Sequence, residues 1–137
     1  MTTRDDLTLA NRLADAAGEA IRPFFRARYD MELKADKSPV TEADRAAEAA
    51  IRAILEKERP GDGIIGEEYG SVREDAERVW ILDPIDGTRS FIAGRPIFGT
   101  LIALTQGGWP TVGLIDQPIA RERWAGMSGQ PTTFNGQ

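Results

Sequence analysis

Apolar residues recur at three- and four-residue spacing through the N-terminal part of the chain. Leu9, Leu13, Ala17, Ala20 and Phe24 fall on one stripe, the mark of a helix with one buried face. The pattern predicts an amphipathic helix over Asp5 to Arg28. Pro23 is a place for a kink or an early end, because proline donates no N–H to the helical ladder. Met31 to Lys34 reads as a short strand and Ala35 to Pro39 as a loop. A second helix is expected from Thr41, where Thr41-Glu42-Ala43-Asp44 matches a capping box. Ala47, Ile51, Ile54 and Leu55 form its apolar face, and Pro60-Gly61-Asp62-Gly63 stops it.

Beyond residue 63 the period changes. Ile64-Ile65-Gly66 and Val79-Trp80-Ile81-Leu82 are short continuous apolar runs, as in buried strands. Gly99 to Leu104, Gly107-Gly108 and Trp109 to Ile115 read as a β-hairpin with a glycine turn. Arg123 to Met127 is a weaker strand. Two helices followed by strands, without regular alternation, predict an α+β chain: a layered arrangement with two long helices on a mostly antiparallel sheet.

Composition narrows the chemistry. The 137 residues are 41% hydrophobic and include neither cysteine nor histidine. The length suits one domain, and the apolar fraction is too high for disorder. These residues can form no disulfide, thiolate nucleophile, Ser-His-Asp triad or Cys/His metal site. Carboxylates, hydroxyls, backbone amides, Lys and Arg remain, with a hard cation such as Mg²⁺ as their natural helper. A net charge of −5 speaks against a nucleic-acid partner. No apolar run is long enough to span a membrane, and the polar N-terminus shows no secretory signal. A cytoplasmic location is the expectation.

Two strand ends carry the interesting residues: Gly66-Glu67-Glu68-Tyr69-Gly70 and Asp83-Pro84-Ile85-Asp86-Gly87-Thr88. Pro84 interrupts regular pairing and Gly87 permits a tight turn, so the bend between Asp83 and Asp86 can bring both to one point. If Glu67 joins them, two carboxylates about 5 Å apart repel by on the order of 3 kcal/mol at an effective dielectric of 20. Protons or cations must compensate three such groups. With no basic residue adjacent in either motif, a divalent cation is the simpler answer. The Gly87 and Thr88 amides then suit an anion such as phosphate. Blander readings exist for each residue taken singly. Glu67-Glu68 can be a solvated loop, Asp44 a helix cap, and Thr88 a cap for a following turn. Lys34 and Lys37 are expected to be solvated, and Trp80, Trp109 and Trp124 to be core or interface residues.

Taken together the motifs are more specific. Ile65-Gly66-Glu67-Glu68, an apolar strand, Asp83-Pro84-Ile85-Asp86-Gly87-Thr88-x-x-Phe91 and the upstream Ser38-Pro39-Val40-Thr41-x-x-Asp44 resemble the signature of the inositol monophosphatase family. The stretch Asp86 to Pro96, with Ile115-Asp116-Gln117-Pro118 and Glu122-Arg123-Trp124, is similar to its bacterial histidinol-phosphate phosphatases. The resemblance implies a layered sandwich of the sugar-phosphatase type. It also implies hydrolysis of a small phosphate monoester by a water activated by two or three Mg²⁺ ions, with histidinol phosphate first among the substrates and a role in histidine biosynthesis. By motif position, Glu67, Asp83 and the Ile85 carbonyl bind one ion, and Asp83 and Asp86 a second. Asp44 bonds Thr88, and this pair, with Glu67, orients or deprotonates the water. The Gly87 and Thr88 amides hold phosphate oxygens. This is metal-ion catalysis of phosphoryl transfer.

The family is about twice this length, and a further ligand Asp lies in a Trp-Asp-x-x-Ala-Gly motif of its second half. The resemblance therefore implies that residues 1–137 are an N-terminal metal- and phosphate-binding half, weakly active or inactive alone and dimeric when complete. A truncated sheet would leave apolar faces exposed. Two other readings compete. A haloacid-dehalogenase-type phosphatase places D-x-D-G-T after a strand and uses its first Asp as a covalent nucleophile; the spacing here is one residue longer. A non-catalytic metal-binding or assembly module is the reading of a different class.

Overall fold

The computed structural model describes residues 2–36 and 39–137, apart from the Pro39 side chain. The sequence reading of Lys37 and Ser38 lies outside the described residues. Helix α1 (Thr3–Ile21) opens on a Thr2–Asp5 capping box. It ends earlier than the expected Arg28, passing into a 3₁₀ turn at Arg22–Phe24. The cause is Pro23, which has no N–H to continue the i→i−4 ladder. Strand β1 (Met31–Leu33) pairs antiparallel with β2 (Pro39–Thr41), so Pro39, expected to be the last loop residue, already belongs to a strand. Thr41 then caps α2 (Glu42–Glu58), with Asp44 completing the box.

The main sheet has the order β4-β3-β5-β6-β7-β8-β9. Its strands are β3 (Gly63–Gly66), β4 (Gly70–Val72), β5 (Arg78–Asp86), β6 (Gly99–Gln106), β7 (Trp109–Gln117), β8 (Glu122–Met127) and β9 (Thr133–Phe134). Every pairing is antiparallel except β3 with β5. The sheet is thus mixed and mostly antiparallel, with helices on one face, as the pattern predicts. A short helix, α3 (Thr88–Ile92), follows β5.

The core forms where the apolar stripes of α1 and α2 meet one face of the sheet. Leu9, Leu13, Ala17, Ala47, Ile51 and Leu55 pack with Trp80, Leu82, Ile102, Leu104, Val112 and Leu114. Because side chains alternate along a strand, Ile81, Ile115 and Trp124 fall on the other face and are exposed, and Phe134 with them. Of the three tryptophans only Trp80 is fully buried, and Trp109 is largely exposed. Among the described residues no helix is long and apolar enough to cross a membrane.

Strand β5 carries the local irregularity that matters most. Asp83 pairs with Leu101, and Asp86 with Gly99, so three steps on β5 match two on β6. One extra residue has been inserted, a β-bulge. On a regular strand residues i and i+3 face opposite sides. The bulge at Pro84-Ile85 resets the alternation and lets Asp83 and Asp86 share a side.

Candidate active site

A cavity of about 330 Å³ sits at the C-terminal end of β5, lined by Lys34, Glu67, Glu68, Asp83, Ile85, Asp86, Gly87, Thr88, Arg89 and Ser90. Three elements supply the acidic and hydroxyl groups, and Lys34 joins them from the end of β1. The β3–β4 turn brings Glu67 and Glu68, the bulged end of β5 brings Asp83 and Asp86, and the start of α3 brings Thr88. Gly87 joins β5 to α3 with φ +94°, a left-handed conformation that a side chain would strain.

Asp44, on α2, lies behind this cavity and is tied to it through Thr88. It is 1% exposed, and its two oxygens divide the work. Oδ2 accepts the Thr41 amide at 3.1 Å and the Thr41 hydroxyl at 2.5 Å, completing the cap. Oδ1 accepts the Thr88 hydroxyl at 3.0 Å. Thr88 Oγ1 also lies 3.2 Å from the Ile85 carbonyl oxygen. The bland expectation for Thr88 is therefore corrected: α3 has no side-chain N-cap bond, and the hydroxyl turns back toward α2.

Lys34 is a second correction. It is half-buried, with Nζ 3.1 Å from Glu68 Oε1 and 3.8 Å from Glu67 Oε2. Burial works to lower its pKa, but the hydrogen bond to Glu68 and the charges of Glu68, Glu67 and Asp44 prevail and raise it. Glu68 is itself raised, by burial first, against the opposing pull of Lys34. Nothing in the linear motif foretold this lysine. It arrives from the β1 end, more than thirty residues upstream.

The strongest electrostatic signal falls on Asp83, whose pKa is pushed up to about 7. Burial is the main cause, followed by the negative charges of Glu67, Asp86, Glu68 and Asp44. Such a group is under-compensated: at neutral pH it wants either a proton or a cation. Among the described residues no three acidic side chains already stand as a closed metal-binding group, so the carboxylates line a shared space without forming a finished cage. In donor chemistry the set still fits a hard cation. It offers carboxylate oxygens and a carbonyl, with no sulfur or imidazole.

A mixed, mostly antiparallel sheet under two helices, with acidic strand ends around one cavity, defines the chain as an α+β fold with a carboxylate-lined site. The chain belongs to the inositol monophosphatase family, whose model matches residues 3–137. Over 131 residues it is 54% identical to the chloroplastic bifunctional phosphatase IMPL2 of Arabidopsis thaliana, covering 94% of this chain and 38% of that one. It is 45% identical to the histidinol-phosphatase of Mycobacterium tuberculosis, covering 93% of this chain and 50% of that one. A solved inositol monophosphatase from Zymomonas mobilis superposes with a TM-score of 0.84 at 60% identity, covering 100% of this chain and 53% of that one. The chain spans about half or less of the curated relatives it matches.

Proposed function

We propose that this chain is the metal- and phosphate-binding half of a Mg²⁺-dependent phosphomonoesterase. The observation that carries the reading is the bulge in β5, which brings Asp83 and Asp86 into one cavity with Glu67, beside a Thr88 hydroxyl held by buried Asp44. Glu67, Asp83, Asp86 and the Ile85 carbonyl would hold Mg²⁺. When bound, the ion supplies Lewis-acid polarisation of the phosphoryl group and lowers the pKa of water. The chain's own residues supply orientation. Asp44 accepts a hydrogen bond from the Thr88 hydroxyl, which leaves the lone pairs of Oγ1 free to accept a hydrogen bond from water in the cavity. The Gly87 and Thr88 amides belong to the first turn of α3, where a helix leaves its donors without internal acceptors, and they suit phosphate oxygens.

Histidinol phosphate is the proposed substrate, supported by the relatives that carry the name histidinol-phosphatase. Inositol monophosphates and other sugar phosphates are the alternatives, supported by relatives named inositol monophosphatase. A cytoplasmic site of action and a homodimer complete the proposal. The test is phosphate release from a panel of phosphomonoesters by the full-length gene product with Mg²⁺. Histidinol phosphate should head the panel, and activity should vanish on chelation. Activity that survives chelation would sink the metal reading; preference for an inositol phosphate would change only the substrate.

A further inference from the structure

Helix α2 presents two acidic residues one turn apart to the two halves of the cavity. Asp44 meets the β5–α3 side through Thr88. Glu48, its i+4 neighbour, meets the β3–β4 side. Glu48 is 0% exposed, an expensive place for a carboxylate unless it is fully bonded. Its Oε1 accepts the Glu68 amide at 2.9 Å, and its Oε2 accepts the Tyr69 amide at 2.8 Å. Arg52, a further turn along, donates to Glu48 Oε2 at 3.0 Å and to the Gly70 carbonyl. Gly66 is what permits this approach, since a Cβ there would collide with the Glu48 carboxylate. The Glu67 turn is thus gripped at Glu68, Tyr69 and Gly70 by side chains of a single helix.

Resting on the metal reading above, we propose that Glu48 is a positioning residue: its carboxylate fixes the β3–β4 turn so that Glu67 faces Asp83 and Asp86. Both oxygens receive a backbone N–H, so the charge and the symmetry of the carboxylate matter along with its size. Glutamine of the same shape offers one acceptor and sets an NH₂ group against the second amide. A purely structural residue would alter stability and leave the cation affinity alone. A positioning residue must alter both the exchange of the gripped amides and the binding of Mg²⁺.

The experiment compares the wild-type protein with Glu48→Gln, and with Glu56→Gln as a control on an exposed turn of the same helix. Amide hydrogen exchange is read at Glu68 and Tyr69, and Mg²⁺ affinity by titration calorimetry. In Glu48→Gln the two amides should lose protection and Mg²⁺ should bind about tenfold or more weakly, the usual effect of removing a residue that orients a ligand. Glu56→Gln should change neither. Should Glu48→Gln fail to fold, Gly66→Ala displaces the carboxylate while keeping its charge, and the same two shifts are expected. A folded variant with deprotected amides and Mg²⁺ affinity within about twofold of wild type overturns the proposal, because it falls short of that orienting effect. A wild-type protein that binds no Mg²⁺ overturns the metal reading itself, and this proposal with it.

Discussion

Strand β5 has an acidic cluster at each end, buried at its start and more open at its finish, and the two are handled in opposite ways. At its start, Asp6 and Asp62 surround Arg78. Arg78 Nη2 donates to Asp6 Oδ1 at 2.6 Å and its Nε to Asp62 Oδ1 at 3.3 Å. Arg59 adds a contact to Asp6 at 3.4 Å, and Trp80 Nε1 bonds Asp62 Oδ2 at 2.9 Å. Two guanidinium groups meet two carboxylates. At the other end Asp83, Asp86 and Glu67 share a cavity, and the ammonium of Lys34 is bonded to Glu68 and lies 3.8 Å from Glu67. Burial of acid is therefore not what marks the site. The mark is acid brought together without matching counter-charge, which a cation can then supply.

Substitution at the two ends should break the symmetry most visibly. Asp83→Asn in the complete protein should lower turnover by about a thousandfold or more, since a lost metal ligand forfeits several kcal/mol of transition-state stabilisation. The same change should not destabilise the metal-free fold, because it removes a charge the fold leaves uncompensated. Asp6→Asn should do the reverse. It leaves Arg59 beside a neutral partner and Arg78 with Asp62 alone, and should cost about 3 kcal/mol of stability, with Mg²⁺ affinity unchanged. Denaturant unfolding and a phosphate-release assay on both variants check the pair. Loss of stability in Asp83→Asn would erase the distinction.

The next largest effect is on pH dependence. Asp83 has a folded pKa of about 7 against an ordinary value of 3.8. Between those values the folded state holds the proton that the unfolded state has released. The Asp83 contribution to stability then falls as pH rises from about 4 to about 7, and levels off above. If Asp83 holds Mg²⁺ as proposed, it must do so in its ionised form, so saturating Mg²⁺ should abolish the decline, and proton release should accompany Mg²⁺ binding near neutral pH. Unfolding midpoints at several pH values, with Mg²⁺ and with chelator, measure both. A metal-free stability that rises across this window would contradict the uncompensated state of Asp83. Thr88→Ala should act at the same end without touching charge, lowering turnover by about a hundredfold through the lost water-facing oxygen, with Mg²⁺ affinity preserved.

The fold was largely legible because its signals are local. The stripe Leu9–Leu13–Ala17, the Thr41 capping box and the Gly107-Gly108 hairpin each announce themselves within a few residues. So did Glu67, Asp83 and Asp86, whose spacing between apolar runs and turn residues marks acidic strand ends. The parts that escaped are long-range. Lys34, just past the end of β1, meets Glu68 at 3.1 Å, a contact between distant parts of the chain that no local pattern encodes. Glu48 was hidden by its place on a helix face read as apolar between Ala47 and Ile51; an acid at i+4 from the capping Asp44 was the available signal. The early end of α1 was signalled by Pro23, but hydrophobic periodicity carried the prediction past it.

The smallest effect sharpens the comparison from the compensated end. Trp80 spans both roles of β5: its ring is fully buried in the core, and its Nε1 satisfies Asp62. Trp80→Phe keeps most of the apolar ring and removes the one donor. Asp62 Oδ1 retains Arg78, so the loss is one hydrogen bond to a charged acceptor plus a small cavity, about 1.5–3 kcal/mol. Trp80 sits only three residues from Asp83, so mere proximity along the strand would predict damage to the cavity. Charge compensation predicts none, because the indole points into the helix-facing core while Asp83 lines the other cluster. Equal Mg²⁺ affinity in Trp80→Phe and wild type, measured beside a lowered unfolding midpoint, would show that the two ends of β5 are energetically separate. A coupled loss of Mg²⁺ affinity would show instead that the arginine network helps to set the geometry of the carboxylate cavity.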